Sequence, residues 1–552
     1  MHGVQVVRQW GWLFTALLPV VGAKPNSTYT NPILPGFHPD PSCVFVPDWD
    51  DTFFCASSSF NAFPGIPLHA SKDLQNWKLI GHVLNRKEQL PRLAETNRST
   101  SGIWAPTLRY NEKTETFWLV TTLVDDDRPD NDTSRWDNAR CAFSLDRLAG
   151  FSVHFDFQGY DTSPIWDVDG KTYIVGGHAW RVAPGIMLAE ADLDTGNAPE
   201  GPHIYRKDGW YYLLAAEGGT GLNHMVTMAR SRNLYGPYKA NPVNPVLSNA
   251  NTTEYWPEYL NFPMGRETIM VPVTWETGEF PLWSPVRGVV SGWPMPKTNK
   301  RIPGLGPFTT DGDIINFQSG STLPAHFTFW RYPLASSYII SPDEKPNTLR
   351  LAPSKLNLTA INGNYAGSEG QTFVGRRQQD TLFTFSVDLD FSPGYSEIEA
   401  EAGVSVFLTQ NHHLDLGVVM LPPTAAIDNF LGDIFTDIDT ENSTALVPYF
   451  RFRGISYIPV PEDFIVPIPK AWRETTLRLE IRASNVTHYA FSAGPAESIS
   501  RMRTLLEVSN EPVSWGFTGV ILGVYCTSNG HNGTTPAYFS RWRYAPQGQF
   551  RD

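Results

Sequence analysis

Residues 161–177, DTSPIWDVDGKTYIVGG, and residues 200–216, EGPHIYRKDGWYYLLAA, are two copies of one plan. Each opens on a carboxylate, runs through a strand, turns on Asp-Gly and returns through aromatic and β-branched residues. Asp-Gly between alternating apolar residues is a strong hairpin signal, because the tight turn needs positive φ at its centre. Residues 40–57 (DPSCVFVPDWDDTFFCAS) and 104–122 (WAPTLRYNEKTETFWLVTT) repeat the plan with longer turns. A second echo pairs residues 69–77 (HASKDLQNW) with residues 228–238 (MARSRNLYGPY). A strand-rich unit repeating at roughly blade length predicts a β-propeller.

In a propeller the innermost strand of each blade starts near the axis. Asp40, Asp161 and Glu200 open three of the units and Trp104 opens the other, so three carboxylates are expected to converge on one central pocket. Scattered surface acids would not keep register with the repeat. Asp40 also lies between Pro39 and Pro41, which predicts stiff, extended backbone there. Taken alone, that stretch reads equally well as a turn.

The formal net charge is −13 and no long basic run occurs, which argues against nucleic acid or an anionic membrane as the main partner. Aromatic residues make up 13% of the chain and Gly plus Pro number 44 and 45, the composition of aromatic strands joined by many turns. Residues 1–23 read as a secretory signal peptide: Arg8, an apolar run from Trp10 to Val21, then a small-residue cleavage site. Eight N-x-S/T sequons follow, at Asn26, Asn97, Asn131, Asn251, Asn357, Asn442, Asn485 and Asn532, so a secreted, extracellular glycoprotein is expected. Cys43 and Cys55 lie symmetrically about a turn, where a disulfide or two buried thiols would fit. Cys141 and Cys526 suggest no role, and nothing specifies an oligomeric state.

Residues 24–296 are assigned to the propeller and the Pro/Gly-rich residues 297–322 to a linker. In residues 323–552, runs such as 381–391 (TLFTFSVDLDF) and 476–484 (TLRLEIRAS) alternate apolar and polar positions. That is the pattern of antiparallel sheets with one buried face, so a β-sandwich is expected, supporting or rimming the site. The fold class is therefore all-β. Convergent carboxylates suit glycoside hydrolysis, in which an acid of raised pKa protonates the leaving oxygen. A second carboxylate activates water, at about 6.5–9.5 Å from the first in inverting enzymes. No His/Asp/Glu cluster has first-shell metal spacing.

Several stretches carry a family resemblance: NPILPGFHPDPS, SSFNAFPGIPLHASKDLQNWKLIGHVL, GIWAPTLRY, DFQGYDTSP, APEGPHIYRKDGWYYLLAAEGGTG and MGRETIMVPVTW, with GVSVFLTQNHHLDLGV and FSRWRYAPQGQ beyond the linker. Together they resemble glycoside hydrolase family 43, in its two-domain β-xylosidase/α-L-arabinofuranosidase branch of filamentous fungi. The resemblance implies a five-bladed propeller and an inverting exo-glycosidase acting on xylo-oligosaccharides or arabinoxylan. By motif, Asp40 matches the general base, Asp161 the residue that tunes and orients the acid, and Glu200 the general acid. Arg266, Phe60 and Trp104 match substrate-binding residues. No cofactor is required, and the histidine-bearing segment that serves a central calcium in the family is missing, so no metal site is assigned. Two family segments are cut short, at Asn197/Ala198 and at Trp256/Pro257; the second leaves the fifth blade incomplete. A carbohydrate-binding chain without turnover is the competing class.

Overall fold

Local turn chemistry forms the hairpins where the repeat places them. Asp208 (φ 53°) and Gly209 (φ 72°) both adopt left-handed backbone, and His203–Lys207 pairs directly with Trp210–Glu217. The computed structural model describes residues 28–143, 152–155, 159–178, 182, 185–191, 203–218, 224–248, 262–360, 370–394, 396–423 and 445–550. The signal-peptide reading, Glu200 and both shortened junctions lie outside these residues.

Four antiparallel sheets correspond to the four units. The first runs Ser42–Val46, Thr52–Ala56, Gly65–Ser71, Lys78–Leu84 in sequence order. The second is built on Thr116–Val124, which takes Gly102–Ile103 and Thr107–Asn111 on one side and Trp136–Phe143 on the other. The third comprises Tyr160–Trp166, Thr172–Gly177 and Ile186–Ala191, and the fourth begins His203–Lys207, Trp210–Glu217, Met225–Ser231. Four blades are thus described where five were expected. Beyond the fourth, only short pairs occur among the described propeller residues. Val273–Thr274 pairs with Leu282–Trp283, and Thr28–Thr30 pairs with Val289–Ser291, which ties the two ends of the domain together. This matches the sequence, where no further acid–turn–aromatic hairpin follows residue 240.

Cys43 and Cys55 face each other across the first hairpin and form a disulfide. Cys141 and Cys526 are free and buried. Among the described residues no helix is long and apolar enough to cross a membrane.

The second half is a sandwich of two large sheets. One is centred on Ala537–Gly548 and Leu382–Asp390, and it also takes Asp313–Ile315. The other orders Phe464–Pro467, Val447–Ile455, His412–Leu421, Glu401–Thr409, Ile521–Thr527, Phe373–Arg377 and Phe327–Trp330. Alternate residues of both sheets, among them Val404, Leu416, Phe450, Phe385, Leu479 and Trp542, form one buried core. The edge of the second sheet reaches into the propeller: Phe329 pairs with Phe63 and Trp330 with Ala62.

At this junction lie three buried histidines, His38, His69 and His82, together with the buried Arg377 of the sandwich. Burial holds all three imidazoles far below their usual range, His69 at about 3. The Arg377 charge pushes the same way for each, and neighbouring imidazoles add to it for His38 and His82. A histidine neutral in the fold but free to protonate when unfolded near pH 6.5 contributes full stability above that value. Each such group loses up to about 1.4 kcal/mol per pH unit as pH falls from 6.5 toward its folded value. The melting temperature is therefore expected to drop steadily from pH 6.5 to pH 4.5, and His69→Gln to flatten that slope. An unchanged slope in the variant would contradict the assignment.

Candidate active site

Asp40 does not sit on extended backbone. Its φ is 52°, in the left-handed region that Asp tolerates better than most residues. The preference imposed by Pro41 is overridden by contacts on both sides of the residue. Ser58 N–H donates to the Pro39 carbonyl at 3.0 Å and Ser58 Oγ donates to Asp40 Oδ2 at 2.6 Å. Arg266 grips the same carboxylate with both terminal nitrogens, Nη1 to Oδ1 at 2.6 Å and Nη2 to Oδ2 at 3.3 Å. Asp40 is buried, so this two-pronged, charge-assisted contact holds it in one orientation.

Asp161 shares the unusual backbone, with φ 59°. It is the second residue of Tyr160–Trp166, where the ladder to the next strand shifts register between Tyr160 and Ser163. Such bulges re-aim side chains. The Asp161 carboxyl is raised to about 7, mainly by loss of water and next by the negative charge of Asp40, with Arg266 opposing. Asp40 and Asp161, 121 positions apart in the chain, thus share one electrostatic site, as their register in the repeat predicted.

The fourth unit is drawn to the same region. Arg109 Nη2 lies 3.0 Å from both Ser163 Oγ and His203 Nδ1, so one guanidinium links the second, third and fourth blades. His203 comes three residues after Glu200, which itself lies outside the described residues.

The two expected aromatic residues, Phe60 and Trp104, lie together, with one addition. Phe60 (φ 49°) is held by a bridge to Ile103 and stands 6.4 Å from Trp104, ring centre to ring centre. Gly102 makes that approach feasible: its φ is 109°, and a Cβ there would lie 2.3 Å from the Phe60 carbonyl carbon. Trp104 donates through Nε1 to the Thr100 carbonyl at 3.0 Å and meets Tyr160 edge-on at 5.5 Å, with Trp136 beyond at 5.0 Å from Tyr160. Phe517, from the sandwich, stacks on Phe60 at 5.8 Å. The Arg266 guanidinium lies over both rings, 5.6 Å from Phe60 and 5.3 Å from Phe517, and its Nε donates to the Phe517 carbonyl at 3.2 Å.

Arg266, anticipated as a substrate-contacting residue, is placed here as the link that joins Asp40 to the sandwich. Ser58, Tyr160, Arg109 and Phe517 were not anticipated. Ser58 was within reach, being the first residue of the quoted SSFNAF stretch. Phe517 had no signal, being 251 positions from Arg266. Among the described residues no group of three or more His, Cys, Asp or Glu side chains is placed to hold a metal ion.

Two measurements test this geometry. Asp40→Asn removes the charge that raises Asp161 and releases Arg266, so the Asp161 pKa should fall from about 7, read by carbon NMR of labelled aspartate. An unchanged value would show that the two carboxyls are not coupled. Phe517→Ala should lower kcat/KM about ten-fold, the scale of losing one packed aromatic wall, with the fold retained.

Comparison with known proteins bears on the same regions. Residues 29–259 match the model for glycosyl hydrolases family 43, and residues 315–429 and 434–545 match the β-xylosidase C-terminal concanavalin A-like domain. A non-reducing-end α-L-arabinofuranosidase of Bacteroides ovatus is 31% identical, covering 93% of this chain and 94% of its own length. A β-xylosidase of Bacillus subtilis is 27% identical over 93% of this chain and 99% of its own length. The solved structure titled Bacteroides ovatus xyloglucan PUL GH43B superposes with a TM-score of 0.71 at 28% identity, covering 94% of this chain and 99% of that one. The relatives are mostly bacterial, so the restriction to a branch of filamentous fungi is not supported. The chain is a glycoside hydrolase and belongs to family 43, with the family's C-terminal concanavalin A-like domain behind its propeller.

Proposed function

We propose that this chain is a secreted exo-glycosidase that removes terminal β-D-xylosyl or α-L-arabinofuranosyl residues from xylan and arabinoxylan oligosaccharides, with inversion. The observation that carries the reading is the pairing of unlike carboxyls in one aromatic-walled site. Asp40 is held by Arg266 and Ser58, while Asp161 is raised to about 7 by burial and by Asp40. Asp40, oriented by Arg266 and Ser58, activates the attacking water. Glu200 protonates the leaving oxygen, and Asp161 tunes and orients that acid. Phe60, Phe517 and Trp104 pack against the sugar, and Arg266 holds Asp40 in line.

The relatives named for arabinofuranosidase and β-xylosidase activity support the substrate class. A xylopyranoside and an arabinofuranoside present similar hydroxyls to such a pocket, which favours acceptance of both. Secretion rests on residues 1–23 and on the sequons. Asn97, Asn131, Asn357, Asn485 and Asn532 are described, and none is buried. The ring is taken to be a five-bladed propeller whose last blade is reduced to short strand pairs.

The test is hydrolysis of aryl β-D-xyloside and aryl α-L-arabinofuranoside by this chain, with Asp40→Asn and Glu200→Ala alongside. Turnover in the parent and a loss of about 10³-fold or more in each variant is expected, the range of removed acid–base and electrostatic catalysis. A folded parent that binds xylose but hydrolyses neither substrate would instead make it a carbohydrate-binding protein.

A further inference from the structure

The sandwich loops that deliver Phe517 also carry an exposed aromatic corner which the site above does not use. Trp515 is 45% exposed and Tyr457 is 69% exposed, on two different loops. Both rings rest on buried His412: Trp515 stacks flat on the imidazole at 4.9 Å, and Tyr457 meets it edge-on at 4.7 Å. Trp515 and Tyr457 stand at 85° to each other, 5.9 Å apart. The corner is braced by hydrogen bonds. Asn411 Nδ2 donates to Tyr457 Oη at 2.8 Å, Ser456 Oγ donates to the Pro512 carbonyl at 3.0 Å, and His412 Nδ1 lies 3.0 Å from that carbonyl and 3.1 Å from Ser456 Oγ. Exposed aromatic rings usually lose ordering entropy on binding; here that ordering is already in place.

The corner adjoins Phe517 in the chain. Trp515 and Phe517 are two positions apart, so their Cα atoms lie within about 7 Å, and Phe517 is the ring stacked on Phe60 beside Arg266. The residue cleaved by an exo-enzyme occupies the pocket, and the rest of the oligosaccharide has to leave past its rim. A pyranose presents C–H groups on its faces and hydroxyls around its edge. An aromatic face, negative at its centre, attracts the former, while Asn411 and Ser456 border the corner with polar groups. The exposed apolar surface of two rings is also well below the roughly 800 Å² per partner that a stable protein interface needs.

We infer that Trp515 and Tyr457 form a distal sugar-stacking subsite that takes the leaving-group end of xylo-oligosaccharides longer than two residues. The inference rests on the xylan-directed reading above. In an Asp40→Asn background, xylohexaose should bind about five-fold more tightly than xylobiose by calorimetry, the scale of one aromatic contact. Trp515→Ala should abolish that difference, and Tyr457→Ala should reduce it. Equal affinities for the two ligands before substitution, or a Trp515→Ala loss shared equally by both, would overturn the subsite. So would a change from dimer to monomer in Trp515→Ala, which would make the corner a contact between copies. If the parent chain hydrolyses no pentoside, yet the xylohexaose preference exists and depends on Trp515, the enzymatic reading falls while the subsite stands.

Discussion

The site depends on a seam where one sheet belongs to both halves of the molecule. The sandwich strand Phe327–Trp330 pairs with Ala62–Phe63 of the propeller, and the Arg331 N–H donates to the Asn61 carbonyl at 2.6 Å. Around that seam Phe37, Phe60, Ala62, Trp330, Phe373, Phe407, Ile521 and Tyr525 form one buried cluster. Burying such large rings together is worth about 1.5–3 kcal/mol each, enough to hold the two halves in fixed relation. Phe60 belongs to this cluster and also meets Trp104 and Phe517 at the candidate site, so the geometry of those rings is inherited from the packing of the seam.

A second constraint is backbone strain at the chemistry. Asp40, Asp161 and Phe60 all adopt positive φ, a conformation that costs non-glycine residues free energy and persists only where the surroundings over-determine it. Each has such support: Ser58 and Arg266 at Asp40, the register shift at Asp161, and the Ile103 bridge beside Gly102 at Phe60. Contacts made by other strands and loops offset the strain at Asp40 and Phe60, and the bulge accommodates it at Asp161. Pre-set direction matters here, because reorganisation at the moment of reaction is what a positioned carboxyl avoids.

Electrostatics follow from the same enclosure. Desolvation contributes most to the raised Asp161 carboxyl, the charge of Asp40 adds to it, and Arg266 offsets only part of that effect. At the seam, burial beside Arg377 keeps His38, His69 and His82 neutral. The desolvation that raises Asp161 at the candidate site has its counterpart at the junction, where it makes the buried histidines sensitive to acid.

The all-β class, the repeated hairpins, the facing of Cys43 and Cys55 across one turn and the placing of Asp40 and Asp161 at the openings of their hairpins were all legible in the chain. These features are local, or repeat with a period, and local turn chemistry and strand alternation are written in neighbouring residues. The sign of the Asp40 backbone, its grip by Arg266, the raised pKa of Asp161 and the arrival of Phe517 on Phe60 were not legible. Each depends on which residues meet across more than a hundred positions, with Arg266 226 positions from Asp40 and 251 from Phe517. Sequence specified the hairpins and the acids they carry; only packing the sandwich against the propeller decided what surrounds those acids, because burial and charge proximity are properties of the assembled fold.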